Sequence, residues 1–202
     1  MGKKKIKIFF RSLLFLSFLL IINGIYIIYS HNKEIKENVY EVNNVIEYEQ
    51  VILLNNETEE TKDDSSIEEL PQLGENALGI IMFSSGKSAA IYNSPTEYHM
   101  KIGVGKLNNN SLLNESGNNI ILGHRDSVFS ELEHLSIGDI IKIKTITKTK
   151  EYKVFEMYST TKEDPIPYQN SDENIITLIT CYPFGYIGRA PKRYIVKAIS
   201  IN

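Results

Sequence analysis

The sequence predicts a mainly β protein, a closed β-barrel with short helices, preceded by one N-terminal transmembrane helix. Three observations carry this. From Ser12 to Ser30 there is no charged residue; from His31 to Glu75 the chain is acidic and polar; from Ala77 onward short β-branched runs alternate with Gly, Asn, Pro and Ser. With 202 residues, 42% hydrophobic and 23% charged, there is material for one globular domain plus accessory segments.

Residues 1–11 form a basic N-terminus with Lys3, Lys4, Lys5, Lys7 and Arg11. The apolar stretch 12–30 reaches the roughly 20 residues needed to cross the hydrocarbon layer once Ile8 to Phe10 contribute. A cleaved secretory peptide is the competing reading, but its apolar region runs about 7–15 residues and ends in a small-x-small site, whereas this one is longer and ends in Tyr29, Ser30 and His31. The basic cluster keeps the N-terminus cytoplasmic, which predicts a single-pass protein of the cell membrane with everything after residue 30 exported. In the segment 31–75, Ile35, Val39, Val42 and Ile46 are spaced four, three and four apart, as on one helical face. A short stem helix followed by an acidic linker, including the run NNETEETKDDSS, is expected as a solvated spacer.

Residues 76–202 form the expected catalytic domain. Its strand candidates are ALGIIMF, SAAIYN, NNIILGH, DIIKIKTIT, EYKVFEMYS, NIITLITC and KRYIVKAISI, with brief helical candidates around Pro95 to Met100 and Ser127 to Leu135. Many short strands with polar turns favour closure into a barrel over a doubly wound sheet.

Composition removes several function classes. A net charge of -3 without a basic face provides no footprint for nucleic acid. A single cysteine rules out an intramolecular disulfide and a multi-cysteine metal site. The four histidines lack zinc-motif spacing, and Glu131, Glu133 and Asp139 lack the spacing of a calcium loop, so neither a cofactor nor a required metal is expected. His31, at the membrane boundary, and His99 and His134, in polar, locally helical segments, read as surface residues.

Nucleophilic chemistry remains. Cys181 closes the apolar run Asn174 to Thr180, and the loop YPFGYIGRAP follows, unable to continue a ladder. Alone, such a cysteine reads as a small buried hydrophobe, and its neighbours have to overturn that. A second apolar run ends in Gly123 and His124, and Arg193 opens the strand beyond the loop. Each has a bland alternative, a capped strand for His124 and a surface charge for Arg193, but three strand ends bearing Cys, His and Arg point together to one site.

These residues resemble the sortases. TLITC at Thr177 to Cys181 is similar to that family's TLxTC motif, LGHRD at Leu122 to Asp126 to its histidine segment, and Arg193 to its arginine, in the same chain order over about residues 76–202. CYPFGYIGRAPKRYIVKA looks most like class D. The segment between Val154 and Ile175 is too short for the extra helix of class B, and neither a second membrane span nor a DPW/DPF-type lid of class C is visible.

The resemblance implies a sortase-type barrel and a cysteine transpeptidase. An ordinary thiol is only a few per cent ionised at neutral pH, so a proton acceptor or a cation must assist it. The Cys181 thiolate would attack the Thr carbonyl of an LPxTG-like sorting signal on a secreted protein, His124 would protonate the departing amine, and a peptidoglycan-precursor amine would resolve the thioacyl enzyme. Arg193 would stabilise the oxyanion or hold the signal's backbone. Arg189 is the rival arginine or a substrate contact, Thr180 a hydroxyl donor to the intermediate, and Tyr182 a substrate-side neighbour. Asp126 lies on one strand face with His124, but the resemblance does not support a catalytic Asp there. The rival readings are a membrane-tethered β-barrel binding module and another exported cysteine peptidase. Papain-like enzymes place Cys before His, and L,D-transpeptidases carry a Ser-His-Gly-Cys-type run that TLITCYP lacks.

Overall fold

The structure, a computed structural model, describes residues 2–58, 77–107 and 112–201. The stretch 59–76, which holds most of the expected acidic linker, lies outside the described residues.

Helix α1 runs unbroken from Gly2–Thr58. From Ser12 to Ser30 it carries no charge and is outwardly exposed, long and apolar enough to cross a membrane. The hydroxyls of Ser12 and Ser17 are satisfied within the helix, donating to the carbonyls of Phe9 and Leu14 at 2.8 Å each.

Eight strands close a barrel: β1 (Ala77–Phe83), β2 (Ser88–Tyr92), β3 (Val104–Lys106), β4 (Gly117–Leu122), β5 (Ile140–Lys144), β6 (Thr149–Thr161), β7 (Asn174–Tyr182) and β8 (Lys192–Ser200). Their order around it is β1-β2-β3-β4-β7-β8-β6-β5. All seven strand candidates from the sequence appear here; β3, three residues long, is too short to show a period. The helical candidates become α2 (Glu97–Ile102) and a 3-10 helix at Val128–Glu133.

Alternation assigns the faces. Ile81, Phe83, Ala89, Ile91, Ile176 and Leu178 belong to the core inside the barrel, which the 3-10 helix plugs with Phe129 and Leu132. On β1 and β2 the opposite face is apolar as well: Ala77, Ile80, Ala90 and Tyr92 form a second cluster with Ile102 of α2. α1 covers it. Val42 and Ile46 are buried there, Ile35 reaches the main core, and Lys144 reaches Asn43 Oδ1 at 2.8 Å and Glu47 Oε1 at 3.2 Å. The solvated spacer expected from the sequence is, over 31–58, helical, and from Ile35 to Gln50 that helix is docked on the barrel. The apolar spacing was legible, but its partner surface comes from strands more than thirty residues away.

His99, expected at the surface, is buried. Thr96 caps α2 by accepting from the His99 backbone N–H at 3.1 Å, which turns the imidazole inward. There it stacks on Tyr92, ring centroids 4.6 Å apart, and its Nδ1 lies 2.9 Å from the Ser94 carbonyl oxygen. His134 is exposed and His31 half-buried.

Candidate active site

β7 is the centre of the site because it pairs with both strands that matter. It runs parallel to β4, with Ile121↔Leu178 and Leu122↔Ile179 in register, and antiparallel to β8, where Cys181 stands opposite Arg193. Beyond β4 the Gly123 N–H still donates to the Ile179 carbonyl at 3.2 Å. Two residues past the last registered pair, the same parallel register sets His124 level with Cys181. Three separate runs of sequence therefore bring His124, Cys181 and Arg193 side by side across adjacent strands at one end of the barrel.

They also share a face. Ile120 on β4, Ile179 on β7 and Ile195 on β8 form a small apolar cluster on the outer side of the sheet, joined by Leu107, Leu122 and Tyr158. Strand period two carries that face onward to His124, Cys181 and Arg193, so the polar groups stand at the rim of an apolar floor. Cys181 and Arg193 are half-buried, open to a substrate but partly withdrawn from water.

Glycine at position 123 is required by packing. A Cβ there would fall 2.6 Å from the Phe129 ring, so the strand can pass over the barrel plug only with no side chain before it turns into His124. The turn is closed by Ser127, whose backbone N–H and Oγ both donate to the His124 carbonyl, at 3.3 Å and 3.2 Å.

Thr180 points inward. Its hydroxyl is buried and donates to the Gly123 carbonyl at 2.7 Å, tying β7 to the residue that precedes His124. Tyr182 shares that inner face. It stacks on Tyr194, centroids 5.6 Å apart, and meets the Phe184 edge at 5.9 Å, so it belongs to an aromatic cap over the barrel end. Burial, with Tyr182 nearby, raises the Tyr194 phenol above its ordinary range.

Arg189 is exposed in the loop 183–191 and, among the described residues, makes no hydrogen bond or ion pair. Arg193 donates to the Lys192 carbonyl at 3.0 Å. No carboxylate among the described residues forms a salt bridge with Arg125, Arg189, Lys192 or Arg193. Asp126 is exposed and not hydrogen-bonded to His124. Among the described residues no hydrogen bond joins Cys181, His124 and Arg193 to one another, an open arrangement consistent with contacts that tighten around substrate. No group of metal-ligating side chains occurs among the described residues.

Arg125 holds a place at the site that sequence reasoning passed over. Its guanidinium crosses to the loop after β7 and donates to three carbonyls, Pro183 at 3.1 Å, Tyr186 at 2.6 Å and Gly188 at 3.1 Å. The fork thereby fastens the loop that follows the cysteine to the residue that follows the histidine. A signal existed in LGHRD, an arginine at a strand exit next to a loop rich in Pro and Gly.

The Sortase domain family model matches residues 82–200. "Sortase D" of Bacillus subtilis (strain 168) is 31% identical over 144 residues, covering 70% of this chain and 71% of that protein. A solved Sortase D5 transpeptidase from Clostridium perfringens superposes with a TM-score of 0.62 at 26% identity, over 85% of this chain and 100% of the other. The catalytic domain of B. anthracis SrtD gives 0.55 at 29% identity, over 71% and 96%. The sequence motifs, the closed eight-stranded barrel, the strand-end cysteine and these likenesses lead to one conclusion: the chain belongs to the sortase family of cysteine transpeptidases and is most like its class D members.

Proposed function

We propose that this sortase is held in the cell membrane by the first half of α1, N-terminus in the cytoplasm, and joins secreted proteins bearing an LPxTG-like sorting signal to an amine of a peptidoglycan precursor. The observation that carries the reading is the ladder pair Cys181↔Arg193, with His124 two residues beyond Leu122↔Ile179, the last pair of β7 with its other neighbour β4. That order places a nucleophile between a proton carrier and a fixed cation.

The Cys181 sulfur adds, as thiolate, to the carbonyl carbon of the signal's Thr. Negative charge develops on the carbonyl oxygen, and the Arg193 guanidinium faces it from the neighbouring strand; removing such a donor typically costs about 3–4 kcal/mol of transition-state stabilisation. As the C–N bond breaks, imidazolium at His124 gives its proton to the leaving amine and a thioester remains on Cys181. The acceptor amine then adds to the thioester, His124 takes its proton, and the thiolate is released with a new amide formed. Thr180 acts on this site through backbone, by fixing β7 to Gly123. Arg189, exposed and unpartnered, is placed to contact the signal or the acceptor.

Peptide cleavage by single variants tests the assignment. Cys181→Ala abolishes turnover with the fold intact, Arg193→Ala and Arg193→Lys each lose at least about a hundredfold in kcat/KM, and Arg189→Ala loses far less. An inactive Arg189→Ala beside an active Arg193→Ala assigns the oxyanion role to the wrong arginine.

A further inference from the structure

The barrel has two ends, and α1 says which faces the bilayer. The β5–β6 turn lies alongside the far part of the docked helix, where Gln50 Nε2 donates to the Thr145 carbonyl at 3.3 Å. The opposite end lies alongside the near part: one cavity is lined by Asn32, Ile35, Gly86 and Ser127, and another, of about 280 Å³, by His31, Met100, Lys101, His124, Asp126 and Ser127. His31 is the first residue after the charge-free stretch, so the catalytic histidine shares a cavity with the residue at the membrane boundary. Gln50 is 19 residues further along the helix, or about 28 Å at 1.5 Å per residue. An ordinary transmembrane tilt of about 20° does not reverse that order.

β7 runs toward the near end, because its parallel partner β4 ends just before His124. Cys181 and the loop after it therefore project on the membrane side. That loop exposes an apolar tip, with Ile187 97% and Tyr186 47% accessible. The tip is braced, since the Tyr186 and Gly188 carbonyls accept from Arg125. The loop 183–191 and the start of β8 carry no Asp or Glu, while Arg189, Lys192 and Arg193 there are all basic. An apolar tip ringed by cations on a held loop suits an interface of acyl chains and anionic headgroups.

We propose that the catalytic end of the barrel rests on the bilayer, with Tyr186 and Ile187 seated in the headgroup layer of anionic lipid, so that both substrates are taken at the membrane surface. This rests on the anchoring reading above.

The test uses the full chain in vesicles of phosphatidylcholine and phosphatidylglycerol. A polarity-sensitive fluorophore is attached to the new thiol of Cys181→Ala/Ile187→Cys, and in a second protein to that of Cys181→Ala/Thr147→Cys at the far end. Both proteins float with the vesicles; the label at 187 shifts to the blue and loses more than half its emission to a headgroup-proximal doxyl lipid, while the label at 147 is unaffected. Flotation with a water-like, unquenched label at 187 overturns the lipid contact and leaves the anchor standing; failure to float overturns both. In the otherwise unchanged chain, Ile187→Ser keeps its kcat/KM on a soluble signal peptide in detergent and drops several-fold on a vesicle-tethered one. Equal loss on both substrates identifies the tip as a peptide contact and overturns the assignment.

Discussion

Replacing Ile46 by alanine tests whether α1 is part of the folded domain or only its tether. Ile46 is 0% exposed, in the cluster with Val42, Ile80, Ala90, Tyr92 and Ile102. Burying such a side chain is worth about 1.5–3 kcal/mol by transfer alone, and the unfilled space left behind adds to the loss. The site lies between a helix and a sheet, so partial collapse is available, and about 3 kcal/mol is expected. For a domain of this size that lowers Tm by roughly 10 °C. The assay is the near-UV circular dichroism melt of the full chain in detergent micelles, with Tyr40→Ala as control, because Tyr40 is 69% exposed on the same helix. The control shifts within about 0.5 kcal/mol. If Ile46→Ala melts together with Tyr40→Ala, the helix is not docked and the packing described for residues 35–46 is wrong.

Three further outcomes follow from individual contacts. Thr180→Val keeps volume but removes the donor to the Gly123 carbonyl; at a buried site this costs about 1–3 kcal/mol of stability and lowers kcat with little change in KM. Arg125→Ala frees the loop after Cys181 and lowers kcat/KM about tenfold with a small change in Tm, and Arg125→Lys does not restore it because one ammonium cannot serve three separate carbonyls; steady-state kinetics with a signal peptide reads both. Tyr92 is raised to about 12, chiefly by burial and then by Tyr98 and Glu41. The folded state thus holds its proton after the unfolded chain has released it, so stability falls as pH rises from about 10 toward 12, and Tyr92→Phe removes that part of the alkaline loss in denaturant titrations against pH.

What could be read in advance depended on how local the cause was. Strand alternation and the position of Cys181, His124 and Arg193 at strand ends are properties of short windows, and the barrel carries them onto one face. Thr180 was legible as a neighbour of the nucleophile, but which face it takes follows from parity with Cys181, and its partner is a backbone carbonyl on another strand. Tyr182 likewise turns to the aromatic cap with Tyr194. The clamp by Arg125 depends on the path of a loop sixty residues later, which no local pattern specifies. His99 departs from expectation for a related reason: its segment is polar and reads as solvent-facing, whereas the Thr96 cap and the Tyr92 ring turn that single side chain inward. The helical face of 35–46 was visible in spacing, but its burial depends on apolar outer positions of β1 and β2 that look like ordinary strand residues.

The most direct measurement of the catalytic proposal is intact-protein mass spectrometry of the full chain after brief exposure to an LPxTG-type peptide without an acceptor amine. The expected result is a mass increase equal to the peptide up to its Thr less one water, with the remaining C-terminal fragment released as a free amine; the adduct maps to Cys181, is absent from Cys181→Ala and is discharged by added amine. Cleavage of the peptide by Cys181→Ala, or neither adduct nor cleavage across a panel of such peptides, would contradict it.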